Sequence, residues 1–352
     1  MQLMRFPLFL VSALSGGAAL AQNSDWTAVN LAVTDTHVIP AYQRFAETGA
    51  ALREAGAGFC ARLDEAALNE LREAFNNSFD GWQGAQHIQF GPITYFNWNY
   101  RIEFWPDDNG TGARQLSALI AAADPAALEA ESFARQSVGV QGFPALERLL
   151  FEDNALTQLQ AEPYRCQVVE AISANLGEIA TGVYQEWRDE FRATVASADE
   201  RGFFESAEDA TLDYLKSLVE SIRRVQQQKL ESVLGEDQSS ARPRRAEAWR
   251  SDRSVQSLRG NVQALHELYS AGSPALKTVL LSEDLPAIDA AFDQALAAAA
   301  ALPPSMNAAL GTPEGYAALQ NTRDSLDALY EALEAALKKT DLYLGFNSLD
   351  GD

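Results

Sequence analysis

Apolar residues recur every three or four positions along nearly the whole chain, the spacing of one buried helix face. Between 164 and 190 the stripe runs Cys166, Val169, Ile172, Leu176, Ile179, Val183, Trp187. Between 212 and 233 it runs Leu212, Leu215, Leu218, Val219, Ile222, Val225, Leu230, Val233. Val255, Leu258, Val262, Leu265 and Tyr269 continue the pattern, and Leu326, Leu329, Tyr330, Leu333 and Leu337 close it. Helix starts are expected at Asp124-Pro125, at Asp284 ahead of Leu285-Pro286 and at Thr312-Pro313-Glu314, where an acid or a capping side chain stands beside an early proline. No period-two alternation persists. The pattern predicts an all-α protein built as two four-helix-bundle-like domains packed together, over 22–200 and 201–352.

Two stretches break the rhythm. Residues 90–112, FGPITYFNWNYRIEFWPDDNGTG, are aromatic and interrupted by glycine and proline, and an irregular segment of that length in a helical protein tends to carry function. Residues 235–245, GEDQSSARPRR, read as a polar loop between long helices.

The N-terminus changes the picture of compartment. Arg5, an apolar run from Phe6 to Leu20 and the small residues Ala19 and Ala21 have the layout of a secretory signal peptide over 1–21, cut after Ala21. The run is too short for a comfortable membrane span, and no later stretch approaches one, so no transmembrane segment is expected in the mature chain. The expected location is the periplasm. Cys60 and Cys166 are the only cysteines. In an exported chain they are expected to pair, closing a loop of roughly 107 residues worth about 4–5 kcal/mol on the chain-entropy model; the alternative is two separate buried thiols. A net charge of −22 repels nucleic acid, which is not expected as a partner.

Six stretches together carry a resemblance. FAETGAALREAGAGFC (45–60), GWQGAQHIQFGPI (81–93), RIEFWPDDNGTGARQL (101–116), SVGVQGFPALERLLF (137–151), YRCQVVEAISANL (164–176) and RRAEAWRSDRSVQSLRGNV (244–262) resemble the imelysin-like family of exported bacterial proteins. Some of that family are linked to iron uptake and some are classed as peptidases. The resemblance runs the length of the mature chain, and implies an all-helical fold of two bundle-like domains and a matched pair in Cys60 and Cys166. Its signature, G-x-H-x-x-E, puts a His and a Glu one helical turn apart where both reach one metal. Here Gly142 and Glu147 match, but Pro144 stands at the histidine position and has no side-chain donor.

The candidate site follows from these residues. Glu147 is either a first-turn carboxylate favouring the helix dipole or a surviving metal ligand; His87 is the other candidate ligand. Gln86, His87, Arg101, Glu103, Trp105, Gln141 and Glu147 are the candidate ligand-binding set, lining a cleft between the halves, with Arg101 and Glu103 a candidate ion pair. The cofactor suggested is a divalent or ferric metal ion. Asp107, Asn109 and Thr111 open like a calcium loop, but Ala118 stands where the bidentate glutamate belongs, so an Asx turn is expected. Arg242, Arg244, Arg245, Arg250 and Arg253 are expected to neutralise nearby acidic faces or to receive an anion, and His37 and His266 to be ordinary packing or surface positions. No catalytic residue is assigned. The expected function is a ligand- or metal-binding module of iron acquisition, its partners a small ligand or metal complex and envelope iron-uptake proteins. The alternatives are a metal-dependent peptidase, disfavoured by Pro144, and an envelope scaffold with a degenerate site.

Overall fold

The computed structural model describes residues 25–199, 201–340 and 342. The expected signal peptide, 1–21, and its expected cleavage point at Ala21 lie outside these. Among the described residues there is no β-strand, and the architecture is all-α as the periodicity predicts. We number the principal helices α1 (Trp26–Val33), α2 (Ile39–Gly56), α3 (Glu65–Gln83), α4 (Thr111–Ala122), α5 (Phe143–Phe151), α6 (Pro163–Glu186), α7 (Ala207–Arg223), α8 (Ser254–Ser270), α9 (Leu285–Ala300) and α10 (Pro313–Leu337).

Helix starts follow local chemistry. Asp64 caps α3 by accepting from the Ala67 N–H, Ser206 caps α7 through Asp209, and Thr312 caps α10 through Gly315. Two expected starts differ. Asp124 caps only a short 3₁₀ turn, Pro125–Leu128, and Asp284 makes no cap hydrogen bond but pairs with Lys339. Three helices run on through wide, π-type turns: α1 through Thr34–Val38 into α2, α6 through Trp187–Phe191, and α7 through Arg224–Glu231. Such turns add a residue to the cycle and rotate the side chains that follow.

Helix α2 lies between α3 and α6, while α7, α9 and α10 pack together with α8 beside them. Helix α1 rests on α7 and α8 touches α3, so one apolar cluster runs through both halves of the chain. The predicted stripes supply it: Cys166, Val169, Ile172, Leu176, Val183 and Trp187 are buried, as are Val255, Leu258, Val262, Leu265 and Tyr269. The cysteines are bonded, Cys60 to Cys166, with Cα atoms 5.7 Å apart.

Two close approaches need glycine. Where α2 crosses α6, a Cβ on Gly177 would sit 2.8 Å from the Gly49 carbonyl oxygen, and one on Gly49 would sit 2.8 Å from the Ala180 methyl. At the head of α5, a Cβ on Gly142 would fall 2.2 Å from the Ile102 carbonyl oxygen. The first lets the two longest-packed helices touch along their backbones; the second presses the irregular segment against α5.

The crossing yields a test. Gly177→Ala is expected to cost about 1–3 kcal/mol, the range for overpacked sites. Gly260→Ala, in α8 with nothing within 4 Å of the new methyl, is expected to stabilise by about 0.5–1 kcal/mol. Urea unfolding of both variants checks the contrast.

Candidate functional site

Three segments supply the polar lining of a cavity of about 430 Å³, with Phe75 and Phe79 of α3 and Leu116 of α4 adding apolar surface. The irregular segment supplies Glu103, Phe104, Trp105, Pro106, Asp107 and Asp108; α5 supplies Phe143, Pro144, Glu147 and Arg148; the loop before α8 supplies Arg244, Arg245, Glu247, Trp249 and Arg250. The volume falls in the range of small-molecule sites. The loop before α8 was read only as a charge cluster, and its share of the wall was not foreseen.

Pro144 lies in the first turn of α5, where its missing N–H costs nothing, and one turn later Glu147 is carried inward. Glu147 is 4% exposed. One of its oxygens, Oε1, accepts from the Arg250 N–H at 3.0 Å, the Ser251 N–H at 2.9 Å and the Ser251 hydroxyl at 2.8 Å. The other, Oε2, lies 3.8 Å from the Arg250 guanidinium. Burial pushes this carboxyl above its usual range, opposed by the Ser251 and Arg250 interactions. The loop it grips is strained: Ala248 and Asp252 hold positive φ angles of 48° and 57°, where non-glycine residues seldom rest. Glu147 is thus the clamp of the cavity's third wall.

Behind the cavity lies a polar cluster that the sequence reading did not single out. The three N–H groups of the Lys229 ammonium are shared among Gln83 Oε1 (2.8 Å), Glu247 Oε2 (2.9 Å), Asn261 Oδ1 (2.7 Å) and Ser257 Oγ (3.2 Å). Lys229 and Glu247 are each about 3% exposed. Glu103 is fixed by the Trp82 indole N–H, which donates to its Oε2 at 2.6 Å. Burial, reinforced by the neighbouring Glu247 carboxylate, drives the Glu103 carboxyl well above the usual range, against the pull of Lys229 and Trp82.

The rest of the candidate set separates. Glu103, Trp105 and Glu147 line the cavity; Gln86, His87, Arg101 and Gln141 do not. Arg101 makes no ion pair with Glu103. It donates instead to Gln141 Oε1 at 2.7 Å and Asn175 Oδ1 at 2.9 Å, bracing the irregular segment against α6. Gln86 is buried and donates to Gln83. Asp107 accepts from the Thr111 and Gly112 N–H groups, the Asx-type turn expected there. The arginines meet acids or aromatics: Arg245 lies 3.3 Å from Asp108, Arg253 pairs with Asp80, and Arg250 and Arg244 stand over the Trp249 ring.

His37, read as ordinary packing or surface, forms a buried pair with His87, Nε2 to Nε2 at 2.7 Å. Only one of the two nitrogens carries a proton, so at least one of the rings is neutral. Burial lowers His37 to about 4 and holds His87 well below the usual imidazole range, the latter helped by its neighbour.

A metal ion fits these residues poorly. Pro144 has no donor, Glu147 Oε1 is saturated, and the His87 Nε2 is engaged with His37 and away from the cavity. Among the described residues no three His, Cys, Asp or Glu side chains are placed to hold an ion.

Comparison with known proteins gives a consistent result. The imelysin family model matches residues 38–333. Iron-regulated protein A of Synechococcus elongatus is 24% identical over 318 residues, which is 85% of this chain and 82% of that protein. Two crystal structures share the fold: an imelysin-like protein from Psychrobacter arcticum (22% identity, TM-score 0.73, 91% of this chain and 97% of that one) and a putative iron-regulated protein A precursor from Parabacteroides distasonis (14%, 0.76, 92% and 97%).

Two outcomes follow from the geometry. Glu147→Ala leaves two loop N–H groups without their acceptor and is expected to cost about 2–4 kcal/mol, measured by urea unfolding. The histidine pair makes stability depend on pH. The unfolded chain protonates these imidazoles below 6.5 while the folded chain holds His37 neutral to about 4. Stability is therefore lost as pH falls through that window, by about 3 kcal/mol from His37 alone. Unfolding of wild type and His37→Gln across the window should show this slope reduced in the variant.

Proposed function

The chain belongs to the imelysin family, and from that premise we propose that it is an exported, iron-related binding module that takes a small ligand or preformed metal complex into the cavity between α5, the irregular segment and the loop before α8. The observation that carries this reading is the cavity itself: about 430 Å³, with two tryptophans and several charged groups converging on it from three distant parts of the sequence. The iron connection is supported by the iron-regulated protein names of two relatives, and export by the N-terminal signal pattern and by the word precursor in one of those names. No helix among the described residues is long and apolar enough to cross a membrane, which agrees with a periplasmic module. On this reading the halves 22–200 and 201–352 act as two bundles that meet beside the cavity, presenting it to envelope iron-uptake partners.

A bound complex suits this wall better than a bare ion. A catalytic or tightly held metal takes about three protein ligands, whereas the cavity's carboxylates are already engaged by N–H groups, an ammonium or an indole. The metal-dependent peptidase reading is weaker for the same reason.

The test is a titration of the mature protein with ferric citrate, followed by calorimetry and tryptophan fluorescence, beside free Fe²⁺, Fe³⁺ and Zn²⁺. Saturable binding of the complex, weakened at least tenfold (about 1.4 kcal/mol) by Trp105→Ala, is expected, with no stoichiometric binding of the free ions. Tight stoichiometric binding of a free ion, or no response to ferric citrate, would overturn the reading.

A further inference from the structure

Nine charged side chains line the cavity, and eight of them hold an ion-pair or hydrogen-bond partner. Asp108 faces Arg245 at 3.3 Å, Glu247 faces Lys229, and Glu147 faces Arg250. Asp107 takes the N–H groups at the start of α4, and Glu103 takes the Trp82 indole N–H. Arg148 lies 2.9 Å from Glu152, and Arg250 lies 3.6 Å from the same carboxylate oxygen. Arg244 is the ninth. Among the described residues it meets no acid and no acceptor, only the face of the Trp249 ring, 5.4 Å from its centre.

This wall gathers more cation than its own acids match. Arg250 stands over the same indole at 4.2 Å, so two guanidinium groups share one ring. Arg148 and Arg250 share one oxygen of Glu152, and the buried Nε–H of Arg250 donates to no acceptor. Three guanidinium groups thus stand against the two carboxylates Glu147 and Glu152, an excess of one positive charge in a chain whose net charge is −22. The loop also presents Arg244 for use. It lies in the 3₁₀ turn Pro243–Arg245, tied on one side by the Arg242 N–H to the Val233 carbonyl at 2.7 Å and on the other by the buried Ala246. A guanidinium stacked by its face keeps its N–H edge free, and that planar fork fits the two oxygens of a carboxylate.

Resting on the binding reading above, we infer that Arg244, stacked on Trp249, is the receptor for a carboxylate group of the ligand. One carboxylate supplies both the acceptor and the single negative charge that this wall lacks. A phosphate dianion overshoots that charge in a cavity lined by five carboxyl groups of its own, where like charges repel. A cationic ligand group finds no matching vacancy: four of the five are held by cations or backbone N–H groups, and Glu103 by the Trp82 indole. Trp105 lines the same cavity and offers an apolar face to the remainder of the ligand.

The test is calorimetry on the full mature chain with iron-free citrate, inorganic phosphate, butylammonium and ferric citrate as separate probes. Citrate is expected to bind saturably and more tightly than phosphate, with no uptake of butylammonium. Arg244→Gln is expected to weaken citrate at least tenfold. Arg242→Gln removes another exposed arginine of the same loop that does not line the cavity, and is expected to change affinity less than twofold. Circular dichroism checks that both variants are folded. No citrate binding, equal binding by wild type and Arg244→Gln, or equal losses in the two variants overturns the receptor. Phosphate held as tightly as citrate, or butylammonium bound in its place, overturns the carboxylate assignment. Ferric citrate bound alike by wild type and Arg244→Gln leaves the cavity's binding role standing without this receptor. Citrate bound through Arg244 while ferric citrate is ignored keeps the receptor and counts against the metal-complex reading above.

Discussion

Lys229 carries a positive charge into a region that water does not reach, and such a charge is tolerable only when surrounded by acceptors. Four oxygens, one on each of four side chains, meet that demand, and they come from the end of α3 (Gln83), the loop before α8 (Glu247) and α8 itself (Ser257, Asn261). The same ammonium therefore ties the first half of the chain to the second and sets where Glu247 stands. Glu247 and Glu103 both line the cavity, and Glu103 is oriented by Trp82 from α3. The cavity floor follows from a single buried nitrogen and the need to satisfy it.

Much of the fold was legible because burial of one helix face repeats with a period that any sequence displays. The stripe from Cys166 to Trp187 is inside, Thr312-Pro313 does start α10, and the two cysteines are joined. The site was legible only in part. Glu103, Trp105 and Glu147 line the cavity, since they sit in or beside segments whose irregular composition marks them. Gln86, His87, Arg101 and Gln141 share those segments but face elsewhere, and sequence spacing carries no information on which way a loop side chain turns.

The residues that escaped notice have a common cause. His37 lies in the wide turn Thr34–Val38 and Lys229 in Arg224–Glu231. Each extra residue in such a turn rotates the helix face, so a position that looks peripheral on a regular wheel ends up inside. A lone lysine between Val225 and Val233 in an otherwise apolar stripe was the available signal. Glu247 gave none: its role depends on the loop before α8 folding back onto Lys229, and nothing local marks that.

The disulfide divides the cavity wall into two mechanical kinds. Bonding Cys60 to Cys166 makes everything between them one covalent ring, and that ring contains both the 103–108 segment and α5. Two of the three walls thus lie on one covalently closed loop. The third wall, 244–250, lies outside the ring and is held by Glu147, by the Arg245–Asp108 and Arg250–Glu152 contacts, by Lys229 and by the buried Ala246. Reduction of the one disulfide would therefore loosen the two walls inside the ring and leave the ties of the third wall, which are charge, hydrogen bonds and packing, unchanged.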